Sequence, residues 1–506
     1  MPEKTRVEKV KRNVLTSIAL QIIKILLSFI GRMIFVRILG STYLGLNGLF
    51  SNILTVLSVA DLGMGTVMMY SLYKPLAEND ERKIAAYIST FKKIYITIAV
   101  IVLTLGIISL PFLQYMINLP ENVDGVYLYY LLMLTNIVIG YLFIYRTTLL
   151  QADQKSYILD SVDIVAQIVI FAAQTLILFL TKNYGLYLGL SVATTFVTNV
   201  IKSSFVSKRY KYLKNYNLKL EKEDKKALVT NLKGIFLYRI GAAIQSNTDN
   251  ILISIFVSTI AVGLYSNYAM VVSAITSLIS MIFLAIKSTV GNFNSKAKAE
   301  DQQKFFYFFE DYNYLLIAFF SICFYVLLPD FIRICFGSDY ILSSITTVFI
   351  VLNFYTSNIR QNIWVYRETT GLFNKVKYVT LVTSSLNLVT SLICGYFFGI
   401  TGIIAATVLS RMVYAWWREP LILFHTHFKT SAKKYFVSYI SKLLYACSIA
   451  LLLSILVQNI IFENALLQGA VRAIVVMTVS VPLLYAPFAK KDSMKTLKRA
   501  LIKRTK

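Results

Sequence analysis

The chain has 506 residues, of which 57% are hydrophobic and 15% charged, with a formal net charge of +26. No water-soluble surface can be built from that mixture, which excludes a soluble protein of two or three domains and makes lipid the solvent of most of the chain. Nucleic acid, the usual partner of so basic a protein, is excluded too. The Lys and Arg are gathered in short connections between apolar segments of about 20 residues, the length that crosses a hydrocarbon core about 30 Å thick.

The N-terminal arm, MPEKTRVEKVKRN, leads into an apolar stretch too long for the core of a signal peptide and without a small-residue cleavage site, so the first helix is expected to stay in the protein. In chain order, spans are expected to begin at Val14, Tyr43, Phe91, Val126, Tyr157, Tyr184, Gly234, Ala261, Phe305, Ser343, Tyr378, Ile400, Tyr435 and Ala465, about fourteen in all. An even number puts both termini on one side of the membrane. The N-terminal arm, the connection carrying Lys74, Arg82, Lys83, Lys92 and Lys93, the stretch KRYKYLKNYNLKLEKEDKK and the tail KKDSMKTLKRALIKRTK all fall on that side, whereas the opposite loops NLPENVDG and STIAVG hold no Lys or Arg. Cytoplasmic loops carry such an excess, so both ends are expected inside a bacterial inner (plasma) membrane. The basic blocks themselves are expected to orient the chain and to touch lipid headgroups.

A charge in the middle of a span costs about 2.5–3.5 kcal/mol on insertion scales and marks a cavity or a partner. On the first span Ser17, Gln21, Lys24, Ser28 and Arg32 recur at spacings of three and four and share one helix face. The second span carries the smaller Ser51, Thr55 and Ser58 leading to Asp61, and the eighth carries Ser273, Thr276 and Ser280, residues that serve packing more often than transport. Asp160 and Asp163 open the fifth span, where a helix N-terminus favours carboxylates. The seventh span holds Arg239, Gln245, Ser246, Asp249 and Asn250, and the tenth holds Asn353, Ser357, Arg360, Trp364 and Arg367. These residues outline a positive cavity lined by Lys24, Arg32, Arg239, Arg360, Gln21 and Gln245, with Arg146 and Arg367 at its cytoplasmic mouth. Asp61 and Asp249 would balance charge or hold a coupling cation. A positive, low-dielectric cavity focuses anions, and the guanidinium fork suits phosphate.

Enzyme constellations are missing from the sequence. There is no GxxxxGK[ST], HExxH or GxSxG motif, and the outward loops are too short for a catalytic domain. Cys323, Cys335, Cys394 and Cys447 lie in or beside apolar segments without CxxC spacing, and His425 and His427 form a pair in a basic connection, read as a solvated loop. No metal, cofactor or enzymatic activity is expected.

The first half recurs in the second at an offset near 218. LGSTYLGLNGLF from Leu39 parallels FVSTIAVGLYSNY from Phe256, Gly45-Leu46 aligns with Gly263-Leu264, Phe91 with Phe309 and Leu110-Pro111 with Leu328-Pro329. With a slip of three residues, Tyr145-Arg146 aligns with Tyr366-Arg367. Six-helix repeats of equal orientation make two lobes around a cavity. The expected organisation is an N-terminal lobe over 1–206, a basic linker over 207–233, a C-terminal lobe over 234–428, an appended helix pair over 429–489 and a basic tail over 490–506.

The segment LGSTYLGLNGLFSNILTVLSVADLGMGTVMMYSL, with its Gly-containing turn and DLGMG at Asp61 to Gly65, followed by a basic cytoplasmic helix, resembles the polysaccharide-export branch of the multidrug/oligosaccharidyl-lipid/polysaccharide exporter superfamily. The resemblance extends in layout over nearly the whole chain and implies a flippase that carries undecaprenyl-pyrophosphate-linked oligosaccharide repeat units to the outer leaflet by alternating access, for surface polysaccharide. It also implies that cations inside the lobes engage the pyrophosphate. A polysaccharide polymerase and glycosyltransferases are then the expected protein partners. Three other readings compete: a flippase for the peptidoglycan precursor, which bears the same lipid pyrophosphate; a cation-coupled drug exporter, which would favour carboxylates in its cavity; and a membrane scaffold of a polysaccharide-synthesis complex, which leaves the intramembrane charges without a role.

Overall fold

In the computed structural model, residues 6–58, 64–119, 123–214, 220–226, 228 and 248–489 are described. Among them every regular element is helical. Lipid supplies no hydrogen bonds, so each crossing segment must satisfy its backbone within itself, and the α-helix does so.

Besides the helical segment 248–256, fourteen α-helices of eight residues or more lie among the described residues: α1 (Arg6–Leu57), α2 (Met64–Glu78), α3 (Glu81–Ser109), α4 (Val126–Ala152), α5 (Ser156–Thr181), α6 (Tyr184–Arg209), α7 (Thr259–Lys296), α8 (Ala299–Phe336), α9 (Ser344–Asn358), α10 (Gln361–Thr369), α11 (Phe373–Ser410), α12 (Trp416–Leu423), α13 (Lys433–Gln458) and α14 (Ala465–Tyr485). Helices and spans do not correspond one to one. Two of the longest are bent at glycines whose backbone an L side chain rarely adopts, Gly40 in α1 (φ 79°) and Gly399 in α11 (φ 56°), so two expected spans run on as one bent helix in each. Conversely the tenth span is broken between α9 and α10 at Ile359-Arg360. Nine segments among the described residues are long and apolar enough to cross a membrane, the longest being Tyr378–Phe428 with the Gly399 bend inside it. The protein is a multi-pass membrane protein.

The chain divides into two compact units, Met1–Gly263 and Leu264–Lys506. In the first, α4 packs on α3, α6 and α2, and α1 lies along α5. Its core is built from Phe50, Phe91, Tyr95, Tyr130 and Leu134, with the Tyr130 hydroxyl 2.6 Å from Ser109 Oγ. The segment up to Gly263 joins this unit because Thr259 donates its backbone N–H to Asn118 O at 2.8 Å, while Asn118 N–H donates to Thr259 Oγ1 at 2.9 Å. In the second unit, α8 is the centre, packed on α9, α13 and α14. Phe306 of α8 meets Tyr366, Phe424, Phe428 and Tyr435 at ring separations of 5.2–6.1 Å. Between helices in lipid, packing and interhelical hydrogen bonds do the work that the hydrophobic effect does in water. Accordingly large apolar side chains such as Leu180 and Tyr396 lie on the outside of the helices.

Candidate functional site

The polar stripe of the first span exists as a stripe. Gln21, Lys24 and Arg32 are half-buried along α1, flanked by an exposed apolar row of Leu15, Ile18, Ile22, Leu26 and Ile30. At its start the stripe is tied to α5, where Ser17 donates to Asp160 Oδ2 at 2.6 Å and Asn13 accepts from the Tyr157 N–H at 2.9 Å. The role of Asp160 is therefore to fasten α1 to α5. Asp163 holds Lys202 of α6 at 2.6 Å. Lys24 forms no ion pair among the described residues.

The second unit holds a buried charge cluster that the sequence reading found only in part. Arg360, at the break between α9 and α10, is 4% exposed and bonds to Glu419 of α12, itself 4% exposed. Arg367, one face further along α10, reaches the other oxygen of the same carboxylate at 3.5 Å. Thus two guanidinium groups share one carboxylate. Arg411, just before α12, donates to Asn353 Oδ1 at 2.8 Å and Thr356 Oγ1 at 3.0 Å on α9. A second group lies beside it: Lys442 of α13 sits 2.9 Å from Glu310 and 3.0 Å from Asp311 of α8. Trp416, Tyr355 and Tyr439 fill the space between, with Trp416 and Tyr439 at 4.9 Å. Burying charges in such a place is tolerable only with partners of opposite sign.

Of the expected site residues, Arg360 and Arg367 are thus brought together through Glu419, and Arg367 is too buried to reach the headgroups as a residue near a span end could. Arg146 lies within the first unit between α4 and α6, donating from Nε to Tyr145 Oη at 3.1 Å and from Nη1 to Ser203 and Ser207. Asp249 is buried in the helical segment 248–256. Asp61, Arg239 and Gln245 lie outside the described residues. Glu419, Glu310, Asp311, Lys442 and Arg411 were missed. Their signal was charge inside the apolar windows of the ninth, twelfth and thirteenth spans, close enough to the expected ends to pass for headgroup contacts.

The histidine pair differs from its expectation as a solvated loop. His425 and His427 lie in a helical turn, Phe424–Phe428, with His427 Nε2 at 2.5 Å from Gln302 Oε1 of α8. The backbone continues helically there because the aromatic side chains of Phe424 and Phe428 are buried against Phe306. The four cysteines are free thiols. No group of His, Cys, Asp and Glu able to hold a metal ion occurs among the described residues.

Among solved structures the chain is similar to the lipid II flippase MurJ in an inward closed conformation, at 14% identity and a TM-score of 0.67, covering 94% of this chain and all of that one. It is also similar to an inward-facing multidrug resistance MATE family transporter of the MOP superfamily (14% identity, TM-score 0.58, 76% of this chain and 91% of that one). A third similarity is to the MATE transporter VcmN of Vibrio cholerae in its bent form (12% identity, TM-score 0.53, 82% and 95%). These likenesses establish a flippase-like transporter fold. No curated protein matches the chain in sequence. The family model for polysaccharide biosynthesis proteins matches residues 10–286, more than half of the 506 residues, and the chain belongs to that family.

Proposed function

We propose that the protein is a flippase for undecaprenyl-pyrophosphate-linked oligosaccharide repeat units, moving them from the cytoplasmic to the outer leaflet by alternating access with both termini in the cytoplasm. The observation that carries this reading is Lys24: a half-buried ammonium group on α1, whose apolar sequence reads as the first span, with no ion pair among the described residues. An unpaired cation in a low-dielectric setting is unfavourable unless an anion arrives to meet it. Arg32 lies two turns further along the same face, and together they form a row along which a pyrophosphate could be handed on. In the second unit, Arg360 and Arg367 are held on one carboxylate, that of Glu419. The substrate crosses without any covalent bond being made or broken, so neither an enzyme activity nor a cofactor is required.

The experiment is transport in vesicles containing this protein and a lipid-linked oligosaccharide, read as exposure of sugar in the outer leaflet. Lys24→Ala should reduce the rate at least 10-fold at equal protein levels, and Lys24→Arg should keep most of it, since either cation serves a diphosphate. A Lys24→Ala protein that transports normally would remove the basis of the proposal.

A second reading, a flippase for the peptidoglycan precursor, draws on the similarity to MurJ, which spans 94% of this chain. The two carriers share the lipid pyrophosphate and differ in the sugar. Growth of a strain depleted of its own peptidoglycan-precursor flippase, supported by this chain, would favour the second reading. Failure to support growth, with flipping of the oligosaccharide lipid intact, would favour the first.

A further inference from the structure

Most buried or half-buried cations in this protein are matched by a carboxylate: Arg360 and Arg367 by Glu419, Lys442 by Glu310 and Asp311, Arg472 by Asp330, Lys202 by Asp163 and Lys155 by Asp153. Arg146 is not. Its partners are three hydroxyls, those of Tyr145, Ser203 and Ser207, which fix the guanidinium without cancelling its charge. Its Nη2 makes no hydrogen bond among the described residues. Beside it opens a pocket of about 320 Å³, lined among others by Ser89 and Lys92 of α3, Arg146 of α4, Ser207 of α6 and Tyr210 just after it. Two cations and several hydroxyls face this space, and among the described residues no carboxylate is part of its wall.

Two carboxylates bonded to residues of this unit are already engaged. Asp153 holds Lys155 and accepts from the Tyr210 hydroxyl at 2.5 Å, and Asp224 holds Lys83 at 2.9 Å. Burial together with that aspartate pushes the Tyr210 phenol far above its usual range, so the hydroxyl remains a donor to Asp153 and keeps the carboxylate turned towards it. The pocket therefore retains a positive potential with fixed donors, as an oxyanion requires. It lies near the end of α6 that precedes the basic connection, which is headgroup depth in a membrane-spanning unit.

We infer that this pocket in the first unit binds a phosphate-bearing anion, held by the Arg146 fork and Lys92 with Ser89 and Ser207 as further donors. The site is separate from the Lys24 face and does not depend on which lipid-linked sugar is carried. Its chemistry fits either the phosphodiester of an anionic lipid headgroup or free phosphate.

The test measures binding rather than transport. Full-length protein in neutral detergent is titrated with cardiolipin in one arm and with inorganic phosphate in the other, reading thermal stability and, for the lipid, retention in native mass spectrometry. A rise in stability in the cardiolipin arm alone assigns the site to a headgroup, and a rise with phosphate alone assigns it to the free anion. In either case Arg146→Gln should weaken binding about 10-fold, as expected for loss of a charge-assisted hydrogen bond, while Arg146→Lys should retain part of it. If Arg146→Gln does not fold, the same readings are taken on Lys92→Gln, whose exposed side chain carries no packing. Binding in neither arm, or binding that Arg146→Gln or Lys92→Gln leaves unchanged, overturns the inference.

Discussion

Gly45 and Gly263 touch. A Cβ placed on Gly263 would lie 3.0 Å from the backbone nitrogen of Gly45 and 3.4 Å from its Cα, and one placed on Gly45 would come within 2.0 Å of the Thr259 carbonyl oxygen. These are the two glycines that align in the internal repeat. Each is small because the other passes there, as helix crossings between small residues require. Near the same crossing, Thr259 and Asn118 exchange backbone and side-chain hydrogen bonds, and Ser254 donates to Met116 O at 2.6 Å.

Replacing Gly45 by Ala forces the crossing apart. Backbone cannot yield as a flexible side chain can, so the expected cost is that of overpacking, about 1–3 kcal/mol. It is measured as a lower melting temperature of the detergent-solubilised protein. Gly263→Ala, which meets its neighbours at 2.9–3.4 Å, should cost less than Gly45→Ala. The reverse order would show that the crossing relaxes in a way its geometry does not suggest.

Glu419→Gln should be strongly destabilising, because it leaves Arg360 and Arg367 buried without a counter-charge. Breaking a buried ion pair from one side costs about 3–5 kcal/mol. Removing the neighbouring cation as well restores the balance, so Glu419→Gln combined with Arg367→Met should be more stable than Glu419→Gln alone. Thermal melts of the single and double variants test this. Equal stability of Glu419→Gln and the parent would mean that the carboxylate is not the partner that keeps the two arginines buried.

The last two helices are fastened to α8 near both ends. Lys442 of α13 sits on Glu310 and Asp311, and Arg472 of α14 lies 2.7 Å from Asp330 while also donating to Ile460 O at 3.0 Å. Lys442→Met removes the cation that two buried carboxylates share and should cost about 3–5 kcal/mol. In Arg472→Met only one carboxylate loses its partner, and Arg333 remains 3.6 Å from it, so the loss should be smaller. Limited proteolysis of the α13–α14 connection checks both. Lys442→Met should be cut faster than Arg472→Met, and the opposite order would place the main fastening at Asp330.

Much of this protein is decided by chemistry that acts over one or two helical turns. Apolar length dictates that the chain crosses lipid and that its backbone is helical, because no other single segment satisfies its own N–H and C=O groups there. The stripe from Ser17 to Arg32 is a consequence of the helical period alone, and the structure leaves Ser17, Gln21, Lys24 and Arg32 half-buried along α1 while Ser28 is exposed. Gly45 and Gly263 align in the sequence repeat, but that they touch was not legible there.

Partnership across the sequence was decided only by the tertiary fold. Glu419 lies 59 residues from Arg360, and Glu310 lies 132 from Lys442. Nothing in a helical period says which of many apolar helices become neighbours, and in lipid that choice rests on shape and on the few polar groups that must find each other. The same holds for the tenth span. Its polar residues were placed on one continuous stripe, yet the backbone turns at Arg360 (φ −90°, ψ 4°), separating Asn353, which faces Arg411, from Arg367, which faces Glu419. Arg146 reads in the sequence as a span-end cation; that hydroxyls hold it where so many other buried cations have carboxylates is a fact of packing between α4 and α6. The sequence by itself thus determined the solvent and the helices, because these follow from local composition and period. Which charges are cancelled and which stay available for an anion was left to the tertiary structure, because that depends on contacts between helices far apart in the chain.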